Sequence, residues 1–377
     1  MNWVFLDFVR IDYDVATPLE RPLGGSQSAL AYLALALARR GQRVTTLTGT
    51  SKPRDIEGIR CLRIDDIPAE IFAPKDTIVV VNCGPADVID QVRPAIPERK
   101  IVLWTGHAHD QPAVQSLRDP ASVKMWDRIA CVSEWQKSMF HQHLGVPLEK
   151  IEVARNAIAP AFERLFCDET DIIRAKSSAL RLAYTSTPFR GLEILLACFP
   201  AISKLHAGCQ LDVFSSMQVY GRTNEKDQYQ ALYDRCRATD GIEYRGAVPQ
   251  PVLAKELTAT SILAYPNTFA ETSCIAVMEA LAAGMLVVTS DLGGLPETCS
   301  DFARLIPPIS KPHRTAEQFA MDYAKTLDQA IRDWKSDHGG VIKKRFEQSE
   351  AINATCTWDI RAAEWIRLAD RWLSGSS

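Results

Sequence analysis

The sequence predicts an α/β protein made of two doubly wound parallel-sheet domains, and three observations carry that prediction. Short β-rich runs alternate with helical segments along most of the chain, the pattern of parallel strands joined by helical crossovers. The alternation falls into two series of similar size, separated by a charged stretch, 162–176, without strand pattern. A chain of 377 residues also exceeds one ordinary core, and fits two domains of about 150–200 residues each.

In the first series Trp3–Asp7 reads as a strand, Ser26–Arg40 as an Ala/Leu-rich helix stopped by Gly41, and Arg43–Thr48 as the next strand. Ile59–Ile64, Thr77–Val81, Lys100–Trp104, Ile129–Ser133 and Ile151–Ala154 continue it. The second series has strands at Arg181–Thr185, Leu211–Phe214, Ile242–Tyr244, Ser261–Ala264 and Met285–Thr289. The stretch Thr357–Leu373 reads as an amphipathic helix with Trp358, Trp365 and Trp372 at seven-residue spacing. Its polar face mixes acids with bases, whereas a membrane-surface helix carries a Lys/Arg excess, so the stripe is read as packing on protein. The predicted division is therefore 1–170, 171–355 and a closing helix, 356–377.

Composition excludes several classes of function. Hydrophobic content of 46% and charged content of 24% describe a globular chain, and a formal charge of -3 gives no reason to expect nucleic acid as a partner. No apolar run approaches the roughly 20 residues that span a bilayer, and the N-terminus enters a strand-like run with no signal-type pattern. The ten cysteines are scattered, without a C-x-x-C or zinc-like spacing. A reducing, cytoplasmic location is expected. Arg21, Arg39, Arg40 and Arg43 near the first helix leave room for peripheral contact with the inner face of an anionic membrane.

The chemistry concentrates in 271–284, which sets Glu271 and Glu279 around the start of an apolar helix. Thr272 or Ser273 suits the N-cap, so the helix would begin near Cys274 and turn its free N–H groups toward an anion. Glu279 would lie roughly 8 Å along the axis, comparable to the distance from a diphosphate to a ribose diol. One carboxylate can then accept from hexose hydroxyls and the other from ribose hydroxyls, with the diphosphate between them. The alternative for a glutamate in so apolar a helix is capping of a neighbouring backbone or pairing with an arginine.

Other candidates lie where each strand gives way to a loop. Gly24-Gly25 precede the first helix, where a glycine turn lets backbone approach a ligand. His107 and His109 follow a first-domain strand, at the carboxyl edge where ligands bind. Arg190 follows the first strand of the second domain and can meet two phosphate oxygens with a planar fork. Asp12-Tyr13-Asp14 has a D-x-D form and Asp65-Asp66 is a second close pair, but neither has further acids at ligand spacing. Both pairs are read as solvated loops, and no metal is expected.

Glu271 through Glu279 resembles the E-x7-E signature of the family-4 (group 1) retaining glycosyltransferases, and Val287–Glu297 is similar to the strand and glycine turn that follow it there. The resemblance implies a GT-B fold, two Rossmann-like domains facing across a cleft with a C-terminal helix crossing back onto the first domain. It implies metal-independent transfer of a sugar, with retention of configuration, from a nucleoside-diphosphate sugar, UDP- or GDP-linked. By the same resemblance His107, Glu271 and Arg190 serve catalysis. Gly24, Gly25, Ser186, Thr187, Ser216, Val248 (through its main chain), Thr272, Ser273, Cys274, Ile275 and Glu279 line the donor. Two departures stand out. The family's acid near the glycine loop is Gln27 here, and its usual first basic residue is Thr185, which leaves Arg190 with hydroxyl neighbours. The acceptor is open among glycan, lipid-linked sugar, protein and small molecule. The rival readings are a GT-B-like phosphorylase or epimerase, and a non-catalytic nucleotide-sugar-binding partner subunit.

Overall fold

The β-branched runs become the strands of two sheets, one in each of two units of the chain. The computed structural model describes residues 1–176, 180–221, 227–336 and 338–374. One unit is Met1–Ala157 together with the segment from Trp358 onward, and the other is Ile158–Thr357.

In the first unit the strands are β1 (Asn2–Leu6), β2 (Arg43–Thr48), β3 (Arg54–Ile56), β4 (Ile59–Arg63), β5 (Thr77–Asn82), β6 (Lys100–Thr105), β7 (Arg128–Cys131) and β8 (Ile151–Val153). Their spatial order is β3-β4-β2-β1-β5-β6-β7-β8. All neighbours are parallel except β3, which pairs antiparallel with β4. The central strands β1 and β5 are buried along their whole length, which is why they read as continuous apolar runs. The chain builds outward from β1 in one direction and resumes from β5 in the other. The strand order therefore reverses between β1 and β5, a place where open α/β sheets bind ligands at their carboxyl ends.

The second unit repeats this logic with β9 (Arg181–Tyr184), β10 (Gln210–Val213), β11 (Ile242–Tyr244), β12 (Ile262–Tyr265), β13 (Leu286–Ser290) and β14 (Ala303–Ile306). The order is β11-β10-β9-β12-β13-β14, and every pair is parallel. Here the reversal falls between β9 and β12. The residues that follow these two strands are Thr185–Arg190 and Pro266–Glu271, so topology alone brings Arg190 and Glu271 to one crevice.

Two strands were not anticipated. β3 is three exposed or half-exposed residues, and β14 is four residues with three only half-buried; neither offers an apolar run. The stretch 162–176 also differs from the expected linker. Glu169–Ala175 is a helix capped by the Asp168 side chain, and Phe162, Phe166, Ile172 and Lys176 are buried. The Lys176 ammonium donates to the carbonyls of Leu257, Thr258 and Thr260 at 3.4, 3.0 and 2.6 Å. This segment is packed into the second unit, and the division by contact falls at Ala157/Ile158 and Thr357/Trp358.

The C-terminal helix, Trp358–Ser374, buries its tryptophan stripe within the first unit. Trp365 meets Trp104 edge-on at 5.2 Å and Trp3 at 6.1 Å. Trp358 packs on Tyr32 and Trp104, and the Arg361 Nε donates to the Asn156 carbonyl at 3.0 Å. Among the described residues no helix is long and apolar enough to cross a membrane. All ten cysteines are free thiols, and seven are buried.

Candidate functional site

In the second unit the site begins with a short helix held firmly in place. Ile275–Ala282 is buried on most of its surface. Its last carbonyls, which have no intrahelical donors, are met from the helix at 338–355. Gln348 donates to Leu281 and Met285, and Ser349 to Ala282. At the other end the N-cap is Cys274, not Thr272 or Ser273, and no side chain caps the helix. The chain reaches it in an extended conformation because the Cys274 N–H is turned toward the Thr298 hydroxyl, 3.4 Å away. The first-turn amides thus keep their outward direction, with the dipole's positive end behind them.

Glu271 lies just before this terminus and is buried. Its Oε1 accepts from the Tyr265 hydroxyl at 2.7 Å and is 3.4 Å from the Arg190 Nε. The guanidinium of Arg190 also lies 4.8 Å from the Phe269 ring centre and 5.2 Å from that of Phe189. Burial works against its charge, yet Glu271 and the nearby tyrosines hold its pKa above the ordinary arginine value. Arg190 reaches this position because Gly191 has φ +108° and packs on the Pro266 carbonyl, which leaves no space for a Cβ. The Ser186 hydroxyl lies 3.4 Å from that of Tyr265. Ser186, Tyr265, Glu271 and Arg190 form one connected polar group.

The turn after β13 supports Glu271 from below. Gly294 donates its N–H to the Glu271 carbonyl at 2.5 Å. A Cβ on Gly293, which has φ +68°, would collide with the Glu271 backbone, and one on Gly294 would collide with the Thr272 carbonyl. The Gly-Gly pair is therefore a support for the acid, required by close backbone approach.

Glu279 is buried at 3% exposure and accepts from the Ala159 N–H at 3.3 Å. Burial pushes its carboxyl up to about 8, against the pull of that single N–H. Burial, and then Glu271, push the Cys274 thiol up as well, so the cysteine at this helix start is not a thiolate nucleophile.

The remaining second-unit candidates are placed less directly. The Thr187 carbonyl accepts from the Tyr184 hydroxyl at 2.7 Å, while the buried hydroxyls of Thr185, Thr187 and Ser215 have no partner among the described residues. Ser216 caps the short turn that follows it, accepting from the Gln218 N–H. Val248 is half-buried in the loop after β11.

In the first unit Gly24 is the N-cap and Gly25 the first residue of helix Gly25–Arg39. Gln27 instead donates to Asp7, which follows β1. Its fully buried carboxylate accepts from Tyr13 at 2.6 Å, Asn82 at 3.1 Å, Gln27 at 3.2 Å and the Val9 N–H at 2.8 Å. Asn82 also lies 3.4 Å from the Ser26 carbonyl, which ties the glycine turn to β5. His107 has its Nδ1 3.0 Å from the Thr105 hydroxyl, and burial lowers its pKa. Gln136 donates to the carbonyls of Thr105 and His107 and fixes that turn. His109 points elsewhere, stacked on His143 with ring centres 4.3 Å apart.

The D-x-D segment is not the solvated loop expected. Asp14 is buried, with its carboxylate 2.7 Å from the Arg54 Nε, and Asp12 accepts from the Ser51 N–H and hydroxyl, both at 2.8 Å. The two carboxylates are engaged by different partners. Asp65 pairs with Arg10 and Arg63.

Tyr265, Asp7 and Gln136 hold candidate residues or their turns in place and were not singled out in the sequence. A tyrosine or aspartate ending an apolar strand at the carboxyl edge was the available signal for the first two; Gln136, inside a helix, had none.

Residues 180–325 match the family described as Glycosyl transferases group 1. Over 318 residues the chain is 24% identical to one subunit of the phosphatidylinositol N-acetylglucosaminyltransferase of Arabidopsis thaliana, covering 74% of this chain and 66% of that protein. Among solved structures, sucrose-phosphate synthase from Thermosynechococcus elongatus matches with a TM-score of 0.72 at 17% identity, covering 100% of both chains. Anabaena HepE in complex with UDP matches with a TM-score of 0.66 at 14% identity, over 98% of this chain and 100% of that one. The two parallel-sheet units have the GT-B fold of these structures, and the match to the group 1 glycosyltransferase family lies in the second unit.

Proposed function

We propose that the protein transfers a sugar from a nucleoside-diphosphate sugar to an acceptor, with retention of anomeric configuration and without a metal ion. One observation carries the reading. Glu271, Arg190 and Tyr265 form a connected group at the start of a helix that holds a second buried acid, Glu279. In this reading the diphosphate lies against the Arg190 guanidinium and the first-turn amides of Ile275–Ala282, which stabilise charge as the leaving group departs. Glu271 accepts from hexose hydroxyls and Glu279 from the ribose diol. Phosphate charge next to Arg190 grows in the transition state, so that interaction serves rate as well as binding.

UDP-N-acetylglucosamine is the first donor to try, because the Arabidopsis relative is named for N-acetylglucosaminyl transfer and the Anabaena structure holds UDP. The Arabidopsis name also makes a phosphatidylinositol lipid one acceptor to offer. The place of action proposed is cytoplasmic, with peripheral membrane contact if that acceptor is used. His107, kept neutral by burial, can hydrogen-bond a hydroxyl with the ring nitrogen not facing Thr105.

The test is release of free nucleoside diphosphate from a panel of UDP-, GDP- and ADP-sugars, with and without lipid and glycan acceptors. Release from one donor, lost in Arg190→Ala, is expected. Binding without release under every acceptor condition would instead establish the non-catalytic subunit, for which Thr185 at the usual basic position is the supporting observation.

A further inference from the structure

Arg190 and Glu271 face each other as an ion pair, and their contact is incomplete. Their atoms approach to 3.4 Å, yet among the described residues the buried Nε–H of Arg190 is aligned on no acceptor. The contact balances charge without satisfying the donor. At the carboxyl ends of β9 and β10, the hydroxyls of Thr185, Thr187 and Ser215 are also buried and, among the described residues, unpartnered. Buried polar groups without partners are unfavourable. Three hydroxyls and the Arg190 Nε, all unpartnered at the carboxyl ends of neighbouring strands, describe a place suited to receive an anion.

An anion that takes Arg190 removes the counter-charge of Glu271. The backbone of the acid is fixed by the Gly294 N–H and the Phe269 carbonyl, and its buried carboxylate stays held by the Tyr265 hydroxyl at 2.7 Å. The acid would then be a buried carboxylate with the Tyr265 hydroxyl as its remaining donor, close to a diphosphate of like sign. Such an uncompensated charge is strongly unfavourable. Sugar hydroxyls presented to Glu271 in the same event would replace the lost interaction.

We infer that Glu271 is a specificity-determining counter-ion. It makes nucleoside-diphosphate binding tight only when the diphosphate carries a sugar, so the site favours donor over bare nucleotide product. This rests on the proposed nucleotide-sugar reading and adds a discrimination that positive contacts alone would not give.

Calorimetric titration of the full chain with UDP, UDP-N-acetylglucosamine, GDP and GDP-mannose tests it. In Glu271→Gln the bare nucleotide should bind at least about tenfold tighter while the sugar nucleotide does not, so the preference for donor over product collapses. A tenfold change corresponds to about 1.4 kcal/mol. Tyr265→Phe removes Glu271's other donor and makes it hold Arg190 harder, so bare nucleotide should bind at least about threefold weaker. A bare-nucleotide affinity unchanged or reduced in folded Glu271→Gln overturns the inference while leaving the donor site standing. If Glu271→Gln does not fold, an unchanged affinity in Tyr265→Phe overturns it equally. If the unaltered protein binds none of the four ligands, the nucleotide-sugar reading falls and this inference with it.

Discussion

At the scale of single residues, the position of Glu271 depends on two glycines packed against its backbone. Gly293 and Gly294 hold the Glu271 backbone at a distance no other residue permits. Gly293→Ala should therefore leave the protein folded and able to bind nucleotide, while turnover falls by about 100-fold, the cost of misplacing a reacting group by about 1 Å. Steady-state kinetics beside nucleotide titration separate the two effects. Glu279 makes a prediction about pH. Its folded pKa, about 8, lies above the ordinary glutamate value, so the folded state holds a proton that the unfolded chain releases. That contribution is fully present below about pH 4.5 and is lost as pH rises through 8. Relative to Glu279→Gln, the unaltered protein should lose on the order of 1 kcal/mol of stability per pH unit between pH 5 and 8, and none beyond. Parallel melting curves across pH 5–9 would contradict this. The two glutamates were legible because their spacing survives in any readout of the chain. Tyr265 was not, because a strand-ending tyrosine reads as apolar, and its hydroxyl acquires meaning only when Glu271 is folded beside it. Asp7 was hidden in the same way behind an apolar strand.

At the scale of elements, the most exacting packing is that of the C-terminal helix. Trp365 is completely buried against Trp3 and Trp104. Trp365→Ala should cost about 3–5 kcal/mol, read from urea denaturation of the full chain, and Trp365→Phe a smaller part of it. A cost below about 1 kcal/mol would mean that the indole contact contributes little. Seven-residue tryptophan spacing made this helix readable, as continuous Val/Ile runs made the central strands readable. The edge strands β3 and β14 lacked any such pattern, since an edge buries little and composition there follows solvent. The helix Glu169–Ala175 was concealed by its charge. Its packing depends on Phe166, Ile172 and Lys176, the last buried through carbonyl partners some 80 residues away in sequence, and no local pattern announces a lysine of that kind.

At the scale of the whole molecule, the two sheets use one topological device twice. The strand order reverses at β1/β5 and at β9/β12; Gly24 and Gly25 follow β1, and Arg190 and Glu271 follow β9 and β12, whereas His107, Ser216 and Val248 follow strands farther out. Hydrogen exchange should report this unit by unit. With saturating nucleotide, the amides of 186–190 and 272–277 are expected to gain protection, while the central strands, already slow, do not change. Uniform protection across both sheets, or none at 272–277, would count against the donor placement. The division at Ala157/Ile158 and Thr357/Trp358 has a further consequence, for the order in which the molecule comes into being. During synthesis all of 158–357 leaves the ribosome before the helix at Trp358–Ser374 does. Trp3, Trp104 and Tyr32 then wait without their cover while the later-made unit can already close on itself. The nascent first unit thus exposes an aromatic surface for the time it takes to translate 200 residues, and during that interval a chaperone has the most to hold.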